Sequence, residues 1–202
     1  MKTRVTSSRL PMQEPALGRP GAGVSLFETL AMSRLAKPIS SVIPWSVGLR
    51  AFQKEGDKIL AAITNLPSSA LTSRVLVPRQ LYLEDSSRFW SAAMVARHLI
   101  IAGEKMARIM VCLSKGEVCL EPVNIAEVKP DPASLDSVFS EYTEFLANFK
   151  RTLRENVVNR HSLLTHAHPW AGQMSTHQWL QLAAMHQHVH RVQLERILRA
   201  LR

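Results

Sequence analysis

Three histidines lie within five residues near the C-terminus, in the stretch MHQHVHRVQ over residues 185–193. Helix positions four apart share a face, so His186 and His190 can direct both rings at one point, whereas His188 is rotated about 200° away from His186. Two imidazoles at this spacing are typical of a metal site, but two buried histidines with satisfied hydrogen bonds give the same letters. The spacing therefore leaves both interpretations open.

His98 is the candidate for a third ligand, because it lies beside Val95 and Leu99 at the border of an apolar helix face. Taken alone, a histidine at such a border is more often a packed residue with a satisfied ring. Together with His186 and His190 it would give three protein ligands from two helices, which leaves one metal coordination position open for water or substrate. The predicted metal ligands are accordingly His98, His186 and His190.

Other groups that could take part in chemistry have simpler explanations. His168, in THAHPWAG, could approach the metal or stabilise the turn marked by the proline and glycine that follow it. Arg97 and Arg191 flank the predicted ligands and either orient an anionic substrate or lie on solvated helix faces. Cys112 and Cys119 match neither a CxxC redox pair nor a four-ligand zinc framework, so they are predicted to be reduced and structural.

The residues that position these side chains fall into helical patterns. Apolar residues recur at steps of three and four in four segments, which predicts amphipathic helices over residues 45–66, 91–114, 134–156 and 175–201. Ser134 is the expected N-cap of the third helix, and Ser175 with Gln178 forms a capping box for the fourth. Such helices bury their apolar stripes best against one another, so the predicted fold class is an all-α four-helix bundle with long connecting loops.

The first 40 residues differ in composition from the rest. Prolines and glycines recur there, so residues 1–40 are predicted to be a partly disordered N-terminal extension and residues 41–202 the bundle domain. A short amphipathic helix is expected over residues 25–36. The opening MKTRVTSSRL is consistent with an organelle transit peptide or, more simply, with a disordered tail.

Charge and hydropathy narrow the classes of function. The formal charge is +9, but +5 of it falls within the first 50 residues and aromatic residues make up only 6% of the chain, so the composition does not favour nucleic acid as a partner. A basic adaptor for nucleic acid would show affinity that falls steeply with salt. No apolar run is long enough for a membrane span or a secretory signal, and a cytoplasmic location is expected.

Two segments carry a resemblance to a known family: RVLVPRQLYLEDSSRFWSAAMVARHL (74–99) and HPWAGQMSTHQWLQLAAMHQHVHRVQLERIL (168–198). Trp90 and Ser91 open a helix that contains His98, an HPxxG loop follows, and the final helix bears H-x3-H and a glutamine. Over residues 45–201 the chain resembles the DinB/YfiT-like superfamily of four-helix-bundle metalloproteins.

The resemblance implies that His98, His186 and His190 bind a divalent metal ion, with zinc, nickel and iron as the alternatives. It also implies a small-molecule substrate, because some relatives transfer low-molecular-weight thiols to electrophiles and others look like hydrolases. Homodimers are common among them. The leading hypothesis is a metal-dependent enzyme that activates a thiol or water, and the alternative is a non-catalytic stress-response or binding bundle whose helices the metal staples.

Overall fold

The computed structural model describes residues 14–132 and 137–202 and confirms the predicted four-helix bundle. Two 3₁₀ turns, Asp85–Ser87 and Ala126–Val128, lie in the connections. In the described parts of the chain, no helix combines the length and apolarity needed to cross a membrane. The helices are α1 (Leu26–Ala31), α2 (Lys37–Val42), α3 (Trp45–Ile63), α4 (Ser68–Thr72), α5 (Ala92–Ser114), α6 (Val138–Asn156) and α7 (Thr176–Ala200).

The helices that carry the candidate site begin at side-chain caps. The capping box expected at the start of α7 is present, because the Ser175 hydroxyl accepts from the Gln178 N–H and the Gln178 side chain accepts from the Ser175 N–H. Ser91 caps α5 by accepting from the backbone N–H of Met94. The expected cap Ser134 lies outside the described residues, and α6 begins at Val138.

An aromatic cluster holds three of the long helices together at the bundle core. Phe52 of α3 stacks on Phe149 of α6 with ring centroids 3.9 Å apart, and Phe145 meets Phe52 edge-on at 6.0 Å. Gly103 lets Phe145 approach α5 closely, since a Cβ at this position would lie 2.2 Å from the ring. This packing fixes α5, while α7 packs along both α3 and α5.

The long connections contain two small antiparallel sheets that the sequence patterns do not predict. One pairs β1 (Val75–Leu76) with β2 (Phe89–Trp90), and the other pairs β3 (Thr165–His168) with β4 (Gly172–Ser175). Strands of two and four residues are too short to establish a period of two, which explains why the pattern gave no signal.

The N-terminal segment folds back onto the bundle over the part that the structure describes. The helix expected over residues 25–36 occurs as α1 followed by a π-helical turn, Met32–Ala36, which leads into α2. Glu28 and Met32 face inward and are buried, with 1% and 4% exposure. The first 13 residues lie outside the described part, and the division into an extension over 1–40 and a bundle over 41–202 stays a prediction.

Candidate metal centre

The bundle brings the three predicted ligands together. His98 comes from α5, while His186 and His190 are one turn apart on α7, and one ring nitrogen of each lies within 4.8 Å of the others. The Nε2 atoms of His98 and His186 are 3.0 Å apart. Two ligands at about 2.0–2.1 Å from a tetrahedral ion are separated by roughly 3.3 Å, so this spacing fits a metal of that kind.

Hydrogen bonds behind the rings determine which nitrogen faces the centre. The Nδ1–H of His98 donates to the carbonyl oxygen of Val128 at 2.7 Å, and the Nδ1–H of His190 donates to Oε1 of Gln193 at 2.8 Å. Gln193 is itself fixed, because its amide nitrogen donates to the carbonyl oxygen of Ser87 at 2.7 Å. Both rings therefore direct the lone pair of Nε2 inward, as metal-binding histidines do.

The surroundings of the three rings disfavour protonation of the imidazoles. Burial, with a smaller contribution from Lys129, lowers the pKa of His98 to about 4, although the hydrogen bond to Val128 acts in the opposite direction. Burial and the neighbouring imidazoles hold the pKa values of His186 and His190 well below the usual range. Neutral imidazoles that converge in a buried pocket fit a divalent cation, which binds the unprotonated ring.

Trp90 forms a wall of the site that the sequence analysis did not assign. Its ring stacks on His190 with centroids 5.9 Å apart and planes 12° apart, and it tilts against His98 at 5.0 Å. Gln193 was also missed as a hydrogen-bond partner, although its position three residues after His190 on a helix was a usable signal. The carbonyl of Val128 carries no sequence signal at all.

A pocket opens above the three histidines and is mostly apolar. Its walls consist mainly of aliphatic side chains, together with the thioether and indole side chains of Met32, Met106, Met185, Trp170 and Trp179. Glu84 is the one carboxylate among the described residues that line it, and Lys105 and Lys129 are its cations. A small organic molecule that reaches the histidines is therefore in contact largely with apolar surface.

His168 also lines the pocket, but its ring is used by the turn. Its Nδ1 accepts from the backbone N–H groups of Trp170 and Ala171, at 3.2 and 3.3 Å, and burial lowers its pKa to about 4. This contact supports the turn-stabilising interpretation of the sequence. His188 has a side chain that is 56% exposed and pairs with Glu55, as expected for a position on the outer face of α7.

The two arginines next to the ligands form interhelical ion pairs. Arg97 binds Glu141 and so ties α5 to α6, whereas Arg191 binds Glu55 and ties α7 to α3. Neither arginine lines the pocket above the histidines, so neither is placed to orient a substrate there.

The two cysteines are free thiols of intermediate exposure. Burial, together with the contact with the Cys112 thiol, raises the pKa of Cys119 to about 12. Neither belongs to the cluster of three histidines. These features agree with the structural role predicted for both.

A buried ion pair lies beside the centre. Glu84 accepts from Lys129 Nζ at 2.5 Å, from the Ser86 hydroxyl at 2.6 Å and from the Gly23 N–H at 2.9 Å. Burial raises the pKa of Glu84, but these hydrogen bonds, led by that from Lys129, outweigh burial and hold the pKa below its usual value. The pair connects the N-terminal segment to the wall of the pocket.

Replacing Glu84 should reveal what this ion pair contributes. The Glu84→Ala substitution leaves the partly buried Lys129 without its carboxylate and with only the Ser86 and Ser87 hydroxyls as acceptors, and it should lower the free energy of unfolding by about 2–3 kcal/mol, measured by urea denaturation. Glu121→Ala is the matched control, because Glu121 is 77% exposed and 3.8 Å from Lys105, and it should change the free energy by less than about 1 kcal/mol. Equal effects of the two substitutions would show that the Glu84–Lys129 ion pair contributes no more to stability than an exposed one.

The sequence was compared with models of known protein families. The model of the DinB family matches residues 35–201. The chain belongs to the DinB family. The match includes α5 and α7, and therefore all three histidines, but leaves the residues before 35 outside.

One solved structure similar to this DinB protein is the crystal structure of TT2238, a four-helix bundle protein. The likeness has a TM-score of 0.49 at 20% sequence identity and covers 75% of this chain and 98% of that chain. A comparison with curated proteins finds no match.

Proposed function

We propose that this DinB protein is a metal-dependent enzyme that activates a small thiol for transfer to an electrophile. The observation that carries the proposal is that one ring nitrogen of each of the three histidines lies within 4.8 Å of the others, while hydrogen bonds from Nδ1–H hold the rings of His98 and His190 from behind. Membership of the DinB family supports a metal-dependent role. A divalent ion held by three imidazoles supplies Lewis acidity, which lowers the pKa of a thiol or of water.

The lining of the pocket favours a thiol over water as the activated group. Hydrolysis commonly needs a carboxylate or imidazole that is free to accept a proton. Glu84, the one carboxylate among the described lining residues, is engaged by Lys129, Ser86 and Gly23. A thiol needs only the lowered pKa to become the nucleophilic thiolate, and the methionines and tryptophans of the wall suit an apolar electrophile.

The metal and the reaction can be tested on protein purified without a histidine tag. Elemental analysis should find about one zinc, nickel or iron ion per chain, since three imidazoles accept each of these ions. Consumption of a small thiol by a chromogenic aryl chloride should stop after chelation and return when metal is restored. A parent protein without metal removes the proposal, and so does turnover that chelation leaves unchanged.

A metal that staples the bundle is the competing role, and one observation favours it: the three histidines come from two helices, α5 and α7, which an ion would join. For a staple, chelation should lower the melting temperature strongly, and no turnover should be found. For a reactive centre, chelation abolishes turnover with a smaller effect on melting. Assembly into a homodimer stays a prediction.

A further inference from the structure

The pocket above the three histidines shares a wall with a second cavity. This second cavity lies under α2 and is lined mainly by apolar side chains such as Ile43, Ala171 and Met174. Three residues, Met32, Leu182 and Met185, line both cavities. They form the partition between the two cavities, and a change at the partition would join them into one continuous space.

Met32 differs from the other two residues of the partition. Leu182 and Met185 belong to α7, the helix that carries two of the histidines, whereas Met32 belongs to the π-helical turn of the N-terminal segment. Its position there lies outside the part of the chain that the DinB family matches, which begins at residue 35. Methionine is unbranched and flexible, so its side chain can change rotamer without moving the backbone.

A buried carboxylate holds the segment that carries Met32. Glu28 accepts from the Tyr82 N–H at 2.7 Å, from Arg79 at 2.9 Å and from the Ser25 N–H at 2.9 Å. Tyr82 has a positive φ of 61°, which shows that the loop opposite Glu28 adopts an uncommon backbone conformation at this contact. Met32, one turn after Glu28 and 4% exposed, is therefore fixed over the pocket.

We propose that the second cavity binds the apolar hydrocarbon tail of a substrate whose reacting group lies at the three histidines, and that Met32 sets the tail length. This inference rests on the function proposed above. The support for it is that the two cavities are adjacent, with three lining side chains in common, and that the lining of both is mainly apolar. Longer tails enter the second cavity when the Met32 side chain turns aside.

The test uses cobalt(II)-loaded protein, whose visible absorption reports ligands that bind at the metal. Straight-chain alkanethiols from ethanethiol to octanethiol are titrated into the wild-type protein, Met32→Ala, Met32→Trp and the control Leu35→Ala. Leu35 lies in the same π-helical turn but is 63% exposed and lines neither cavity. In the wild type, affinity should rise about fourfold for each buried methylene until the chain reaches Met32. It should rise more slowly for longer chains, because these enter the second cavity only when the Met32 side chain turns aside.

The two Met32 variants should shift that limit in opposite directions. Met32→Ala should extend the rise to longer thiols, Met32→Trp should end it at shorter ones, and Leu35→Ala should behave as the wild type does. Circular dichroism melting checks that each variant is folded, and the bulky Trp variant gives an independent result if the Ala variant is not. The same limiting length in all four proteins overturns the tail subsite alone, whereas failure of cobalt(II) to bind the wild type overturns the proposed function.

Discussion

Metal-free protein is expected to lose stability steeply as the pH falls from about 6.5 toward 4. Burial lowers the pKa of His98 and of His168 to about 4, and it holds those of His186 and His190 well below their usual value. In the unfolded chain these groups titrate near about 6.5, so between the two pKa values the unfolded state binds more protons. The free energy of unfolding therefore has its full value above about pH 6.5 and decreases as the pH is lowered.

The expected size of this effect is large for a domain of this length. Each proton of difference contributes about 1.4 kcal/mol per pH unit, so His98 and His168 alone give a slope of about 2–3 kcal/mol per pH unit near pH 5, and His186 and His190 make it steeper. Total stabilities are about 5–15 kcal/mol, and the metal-free protein should accordingly unfold above pH 4.

Urea denaturation in buffers that contain a chelator measures this slope. His188→Gln is the control, because the side chain of His188 is 56% exposed, and this variant should keep the same pH dependence. A free energy of unfolding that stays constant from pH 6.5 to pH 5 would show that the four rings are not buried as neutral groups. Added zinc in excess of the chelator should raise the free energy of unfolding near neutral pH above that of the metal-free protein, and it should lose this effect in acid, because the metal competes with protons for the same nitrogens.

His186→Ala is expected to weaken metal binding by more than about a hundredfold, since loss of a hydrogen-bond partner behind a ligand already costs about 10–100-fold. The reason is geometric: the three rings form a nearly equilateral triangle, in which the centroid of His186 is 4.9 Å from that of His98 and 4.5 Å from that of His190, and the latter two are 4.5 Å apart. Its removal leaves only two imidazole ligands in a mostly apolar pocket, because no other described histidine, cysteine or carboxylate belongs to this group of possible metal ligands.

Competition with a chromophoric chelator measures the dissociation constant of each variant. His188→Ala is the matched control, because it removes an imidazole two residues away on the same helix but from the outer face. That variant should bind metal as the parent does. Equal affinities of the two alanine variants would show that metal in the protein is held elsewhere.

The four long helices and the starts of three of them could be predicted from the sequence because their causes are local, whereas the start predicted at Ser134 lies outside the described residues and α6 begins at Val138. Apolar residues at steps of three and four specify a buried stripe, and the Ser175–Gln178 capping box is formed by residues three apart. The shared face of His186 and His190 follows from the same helical period. His98 could be added from its place on an apolar face and from the family resemblance, and the fold brings all three together.

Tertiary structure decided the surroundings of the centre. The hydrogen bond from His98 to Val128 spans 30 residues, that from Gly23 to Glu84 spans 61, and that from Tyr82 to Glu28 spans 54. No periodic pattern in a sequence encodes a contact between such distant loops. The placement of Met32 over the pocket depends on these contacts, so the shape of the space above the histidines is a property of the folded chain.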